Sequence, residues 1–222
     1  TVATSTVEQY LKIIYQEQQR EPGRVVQMKQ LSEAMGVTPG TATSMVKYLD
    51  REGYLSYVPR KGVTLLPPGR ELALAIVRRH RLIETFLEQV LDYDWAEVHQ
   101  EAEQLEHAVS DLFIERLDEY LGYPTSDPHG DPIPNAEGRI EARPSFLLTE
   151  ANPGMEVQVV RLKEDSREFL DLMKEEDLLP RKRLTVEEVS EVAGVVSIRL
   201  NGSTRNFTMG YGLAKSILVR RV

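Results

Sequence analysis

The 222-residue chain is 41% hydrophobic and 28% charged, with 27 Lys and Arg against 35 Asp and Glu, a formal net charge of −8 and no cysteine. That balance is the composition of a folded globular protein rather than a disordered one. The lack of cysteine excludes disulfides, thiolate metal sites and iron–sulfur clusters. No apolar run reaches the ~18 residues of a membrane span and no apolar signal segment opens the chain, so a cytoplasmic location is expected.

The charge is unevenly spread. Eleven Lys and Arg face five Asp and Glu between Arg20 and Arg81, whereas ten acids face the single Arg116 between Asp92 and Glu119. Such asymmetry points to different partners for different parts of the chain. The length allows one large domain or two to three small ones, and the composition shifts suggest divisions at 1–72, 73–145 and 146–222.

Tyr10, Leu11, Ile14 and Tyr15 recur at helical spacing and predict an amphipathic helix over Glu8 to Gln18. Glu21-Pro22-Gly23 breaks it. A second short helix is expected from Val26 to Met35, with Leu31, Ala34 and Met35 inward. In Gly36-Val37-Thr38-Pro39 the threonine can cap a third helix. Proline at its first position surrenders only an amide proton that would have been unpaired anyway. Ala42, Met45, Val46 and Leu49 form the buried stripe of that helix, and Gly53 ends it. Two extended runs, Leu55 to Val58 and Val63 to Leu66, flank a basic tip at Pro59-Arg60-Lys61-Gly62.

Helix, turn, helix and hairpin together make a winged helix-turn-helix. Thr38, Pro39, Thr41, Ser44 and Lys47 lie on or beside the outer face of the third helix. Small hydroxyls there permit close approach to base edges, and Lys47, Arg60 and Lys61 can meet phosphates of double-stranded DNA. The same geometry also packs in proteins that never touch DNA.

The middle of the chain is helical in rhythm from Leu72 to Leu91 and again from Val98 to Tyr120. Leu105, Val109, Leu112, Phe113, Leu117 and Leu121 supply more apolar surface than a small winged domain can cover. Dimerisation is the economical explanation. Three of the four histidines fall within 28 residues. His80 and Glu84 are four apart, His99 and Glu103 are four apart, and Glu106 and His107 follow at three- and four-residue spacing from Glu103. On helices these intervals align imidazoles and carboxylates on one face, a donor set for a divalent ion such as manganese or iron. The alternative is an ordinary solvated face. His129, between Pro128 and Gly130 in the proline-rich stretch from Gly122 to Pro144, reads as a turn residue. Trp95 in the connector reads as core.

Beyond residue 146 the pattern is β-rich. Strands are expected over Met155 to Leu162, Arg183 to Val189, Gly194 to Leu200, Arg205 to Met209 and Ile217 to Val222. A helix is expected over Asp165 to Glu176, and Asn201-Gly202 marks a hairpin. Five strands and a helix in so short a stretch suggest a small SH3-like barrel. The fold class is therefore mainly α with a β-rich C-terminal domain. No nucleophile with its base, phosphate loop or HExxH pattern is present. A His/Glu-ligated metal hydrolase is the alternative reading of the same ligands, and a dimeric scaffold with solvated acids is a third.

The stretches VEQYLKIIY (7–15), VTPGTATSMVKYLDREGYL (37–55), HRLIETFL (80–87), EAEQLEHAVS (101–110) and PTSDPHGDPIP (124–134) together resemble the diphtheria-toxin-repressor family of metal-dependent transcriptional regulators, most of all its manganese-responsive branch. The resemblance implies a homodimer that binds operator DNA when loaded with Mn²⁺ or Fe²⁺ and controls metal-transport genes. It implies a primary metal site at Gln9, Glu103, Glu106 and His107. An ancillary site is implied at His80, Glu84 and His99, with Glu164 or Glu168 as further donors. It also marks departures. Gln9 stands where that branch usually has a carboxylate, a lack Glu8 or a main-chain carbonyl would make good. Lys12 stands near a second carboxylate of two-metal relatives, and Arg167 near a ligand position of three-domain relatives, where neither can ligate while charged.

Overall fold

A computed structural model describes residues 4–20, 23–95, 97–141, 144–164 and 166–222. The expected breaker residues Glu21 and Pro22, and Asp165, lie outside the described residues. By packing, the chain divides into two compact units. The first comprises 1–80, 104–110 and 134–139, and the second 81–103, 111–133 and 140–222.

In the first unit, α1 (Ser5–Arg20), α2 (Met28–Ala34) and α3 (Pro39–Arg51) precede a hairpin of β1 (Leu55–Val58) and β2 (Gly62–Leu65). Leu11, Ile14, Leu31, Ala42, Val46, Leu49, Leu55 and Val63 are buried and form its core. Thr38 caps α3 as expected, its Oγ1 accepting from the Thr41 N–H at 3.2 Å with Pro39 at the first helical position. Ala34, expected inward, is exposed, and Ser32 is buried in its place. Leu31 is the one buried apolar residue of the short α2. Val26 pairs antiparallel with Val63 and widens the hairpin. Gly62 permits this: it sits at φ 127°, and a Cβ there would lie 2.4 Å from the Val26 carbonyl oxygen, inside van der Waals contact.

The long helix α4 (Pro67–Leu91) starts five residues before the predicted Leu72, because Pro67 and Pro68 suit a helix start rather than forbid one. The single helix expected from Val98 to Tyr120 is broken. It consists of α5 (Val98–Leu105) and α6 (Asp111–Tyr120), with 106–110 between them outside regular helix. Glu106 and His107 therefore follow the end of α5 instead of lying on its face. On α6, Leu112 and Phe113 are 62% and 45% exposed.

In the second unit, β3 (Phe146–Leu147), β4 (Glu156–Leu162), α7 (Arg167–Glu175), β5 (Arg183–Ser190), β6 (Val195–Leu200), β7 (Asn206–Gly210), α8 (Tyr211–Ala214) and β8 (Ile217–Arg221) build the β-rich domain. Its six-stranded antiparallel sheet has the order β3-β8-β4-β5-β6-β7. The extra strand β3 has only two residues, too short for alternation to reveal it. Val157, Val159, Val186, Val196, Ile198 and Val219 point into a core closed by Phe169, Leu170 and Met173 of α7. Trp95 joins that core, as its apolar bulk predicts.

Candidate metal centre and DNA-facing surface

Ionisable side chains cluster in each unit, buried in the second and partly buried in the first. In the second unit, Glu84 projects from α4 and the segment after α6 brings Asp127 and His129 alongside it. One ligand atom from each lies within 4.8 Å of the others, and all three residues are buried. Asp127 shapes the loop: its Oδ1 accepts the N–H groups of His129 and Asp131, both at 2.9 Å. The loop is also tied to the sheet. The His129 carbonyl accepts from Leu162 N–H at 2.9 Å, and Arg161 pairs with Asp131 at 2.5 Å. Gly130, at φ 87°, lets the chain pass where a Cβ would fall 2.0 Å from the Val160 carbonyl oxygen.

The acids of this group crowd one another. Burial, with Asp131 and Glu84 nearby, pushes the Asp127 carboxyl well above its ordinary 3.8, while Arg81 and the Asp131 N–H pull it back. Arg81 supplies nearby positive charge, at 3.6 Å from Asp127 and 3.0 Å from Asp131. His129 stacks on Trp95 with ring centroids 4.9 Å apart, and its Nε2 is buried without a hydrogen-bond partner. A buried imidazole nitrogen left unpaired is costly. A metal ion held jointly with Glu84 and Asp127 would satisfy it, so the residues present fit one. His129 lies in the turn its neighbours suggested, and that turn sets its imidazole beside Glu84 and Asp127. The signal in the sequence is the run Asp-Pro-His-Gly-Asp, in which the first Asp accepts backbone N–H groups and turns the chain. The expected ligand His99 also reaches Glu84, Nδ1 to Oε1 at 3.1 Å, and Glu103 pairs with His99 at 3.7 Å.

In the first unit, α1 meets the turn after α5. His107 Nδ1 lies 2.7 Å from Glu8 Oε2, while its Nε2 lies 3.2 Å from Gln9 Oε1 and 3.3 Å from Glu106 Oε1. Gln9, Glu106 and His107 are therefore brought together, and Glu8 adds the carboxylate that Gln9 lacks. Glu106, fully buried, also meets His80 Nδ1 at 2.5 Å. His80 and Glu84 stand one turn apart on α4. Glu164 accepts from the Ser166 hydroxyl at 2.7 Å and lies 3.3 Å from that of Ser216. Glu168 is exposed, and Arg167 pairs with Asp171 at 3.6 Å. Neither Glu164 nor Glu168 joins a potential metal group among the described residues.

The DNA-facing candidates Thr38, Pro39, Thr41, Ser44, Lys47, Arg60 and Lys61 are all exposed. The Ser44 hydroxyl donates to the Gly40 carbonyl at 3.0 Å and the Thr38 and Thr41 hydroxyls are 2.9 Å apart. Arg60, at φ 67°, occupies the hairpin tip.

A winged helix-turn-helix carrying exposed hydroxyls and cations, joined in one chain to buried carboxylate–imidazole groups, defines a metal-dependent DNA-binding regulator. Family models agree along the chain. The iron-dependent repressor N-terminal DNA-binding domain matches residues 3–63, its metal-binding and dimerisation domain 67–135, and the FeoA domain 146–221. The iron-dependent repressor IdeR of Mycobacterium leprae is 33% identical over 98% of this chain and 97% of its own length. A solved manganese-dependent transcriptional repressor in complex with manganese is 37% identical, with a TM-score of 0.88 over 97% of this chain and 100% of its own. The manganese regulator SloR is 33% identical, with a TM-score of 0.76 over 97% and 98%. The chain belongs to the iron- and manganese-dependent repressor family. That family consists of transcriptional repressors, so the hydrolase alternative is set aside.

Proposed function

We propose that this protein is a cytoplasmic, homodimeric regulator that binds operator DNA when loaded with Mn²⁺ or Fe²⁺ and so controls metal-uptake genes. In this reading residues 1–72 read DNA, 73–145 hold metal and dimerise, and 146–222 form the SH3-like domain. Carrying it most directly is the buried group of Glu84, Asp127 and His129 with its unpaired imidazole nitrogen. Oxygen and imidazole donors without thiolate suit Mn²⁺ and Fe²⁺. Glu84, Asp127 and His129, with His99 beside them, hold one ion. Glu8, Gln9, Glu106 and His107 hold another and fasten α1 to the turn after α5. A bound ion supplies the positive charge that offsets the mutual repulsion of these acids.

The exposed Leu112 and Phe113 of α6, with Val90 and Leu91 at the end of α4, supply apolar surface for a second copy. In such a dimer the two α3 helices would enter successive major grooves about 34 Å apart, with Lys47, Arg60 and Lys61 on phosphates. No helix among the described residues is long and apolar enough to cross a membrane.

A duplex selected by the Mn²⁺-loaded chain from random sequence provides the test. Its affinity should fall roughly 5–150-fold in chelator, the usual range of coupling between two sites. Equal affinities with and without Mn²⁺ would end this reading. Trp95, the only tryptophan, stacks on His129 and gives an independent fluorescence readout of metal loading.

A further inference from the structure

The buried residues of α1 are Val7, Tyr10, Leu11, Ile13, Ile14, Tyr15 and one cation, Lys12. Lys12 is 1% exposed and Glu106 is 0% exposed. Lys12 Nζ stands 2.8 Å from each oxygen of the Glu106 carboxylate and 3.2 Å from His80 Nδ1. A lysine is rarely buried unless its charge is matched, and an apolar side chain would fill the same position without that requirement. Its partners include a carboxylate engaged through both oxygens and one imidazole nitrogen. That is the donor set a divalent ion would draw on, met at hydrogen-bond rather than coordination distance.

Glu106 has two sides. Oε2 faces His80 and Oε1 lies 3.3 Å from His107 Nε2, where Glu8 and Gln9 also converge, while Lys12 bridges the two oxygens. We propose that the Lys12 ammonium is a tethered, non-exchangeable cation occupying a divalent-ion position, so that the group formed by Glu8, Gln9, Glu106 and His107 takes a single exchangeable ion. The tethered charge neutralises Glu106 while no metal is bound and keeps α1 seated. It also shares the Glu106 carboxylate with the incoming ion, which weakens that ion's hold and sets its working concentration. The inference rests on the metal-responsive reading above, since it concerns how many ions that reading's first-unit site accepts.

Mn²⁺ alone is the probe, with the full chain. Ions per chain are counted by equilibrium dialysis, and low-temperature electron paramagnetic resonance reports whether two bound ions are magnetically coupled. The wild-type chain should bind Mn²⁺ without a coupled-pair signal. Lys12→Glu should bind one ion more than wild type and show that signal. Lys12→Gln, which removes the charge and keeps an amide oxygen, serves if the glutamate variant does not fold. It should also gain an ion, at higher Mn²⁺ concentration. A coupled pair already present in the wild type would overturn the assignment, as would a folded variant that gains no ion while the wild type binds Mn²⁺. If neither variant folds, the wild-type spectrum decides. A wild-type chain that binds no Mn²⁺ would overturn both this inference and the function on which it rests.

Discussion

Asp127 combines two roles that a pair of substitutions separates. Its Oδ1 holds the loop by accepting the His129 and Asp131 N–H groups, and its carboxylate is proposed to hold metal. Asp127→Ala abandons both donors in a largely buried loop. At about 1–3 kcal/mol for each unsatisfied buried group, and with Asp131 able to reach some solvent, the loss should be roughly 2–4 kcal/mol. For a chain of this size that corresponds to a fall in Tm of roughly 5–15 °C, at about 2–4 °C per kcal/mol. Asp127→Asn keeps an acceptor oxygen and removes an acid crowded by Glu84 and Asp131, so its metal-free Tm should stay within about 3 °C of wild type. Both variants should lose the change in Trp95 fluorescence on adding Mn²⁺. Thermal unfolding in chelator, followed by circular dichroism and by that tryptophan, supplies the measurement. If asparagine destabilises as much as alanine, the loop depends on the charge facing Arg81 and not on the acceptor oxygen. If asparagine responds to Mn²⁺ like wild type, Asp127 is no ligand.

The raised Asp127 carboxyl predicts a pH dependence. Above the ordinary 3.8 the folded loop retains a proton that the unfolded chain releases. The resulting stability is fully present below that value and is lost as pH rises through the folded one. Ligation needs the carboxylate, so Mn²⁺ affinity at this site should rise with pH over the same window. Titration calorimetry in buffers of different ionisation enthalpy should detect proton release, and no buffer dependence would contradict it. Lys12→Met leaves the buried Glu106 with His80 but without its ammonium. It should cost about 3–5 kcal/mol in metal-free urea unfolding, and a loss below about 1 kcal/mol would show the pair to be expendable. Lys61→Ala should weaken binding to all duplexes alike and reduce the slope of log affinity against log salt by about 1. An unchanged slope would remove Lys61 from the phosphate contacts.

The DNA-facing half was legible because its signals are local. Thr38-Pro39 starts α3, Gly53 follows its end, and the basic hairpin tip needs only neighbouring residues to be recognised. The proposed metal groups are legible in part. Helical spacing put Glu106 and His107 on the face of one long helix, and the spacing itself survives, but the helix ends at Leu105. No strong stop residue announces that end. The approach of His129 to Glu84 is not legible, because Glu84 lies on a distant helix and periodicity carries no information about non-local approach. That Lys12 cannot ligate while charged follows from its residue type. That it is buried against both oxygens of Glu106 follows only from how α1 packs.

The loop that carries His129 is stitched to β4 by the Leu162 amide and the Arg161 guanidinium, and the indole beneath its imidazole is seated among the side chains of the β-rich domain. A chain cut before Phe146 would strip that indole of its apolar seat and release the loop from its strand. The β-rich domain is thus the wall against which the proposed ion position of Glu84, Asp127 and His129 rests, and a shortened protein is expected to keep only the proposed position at α1.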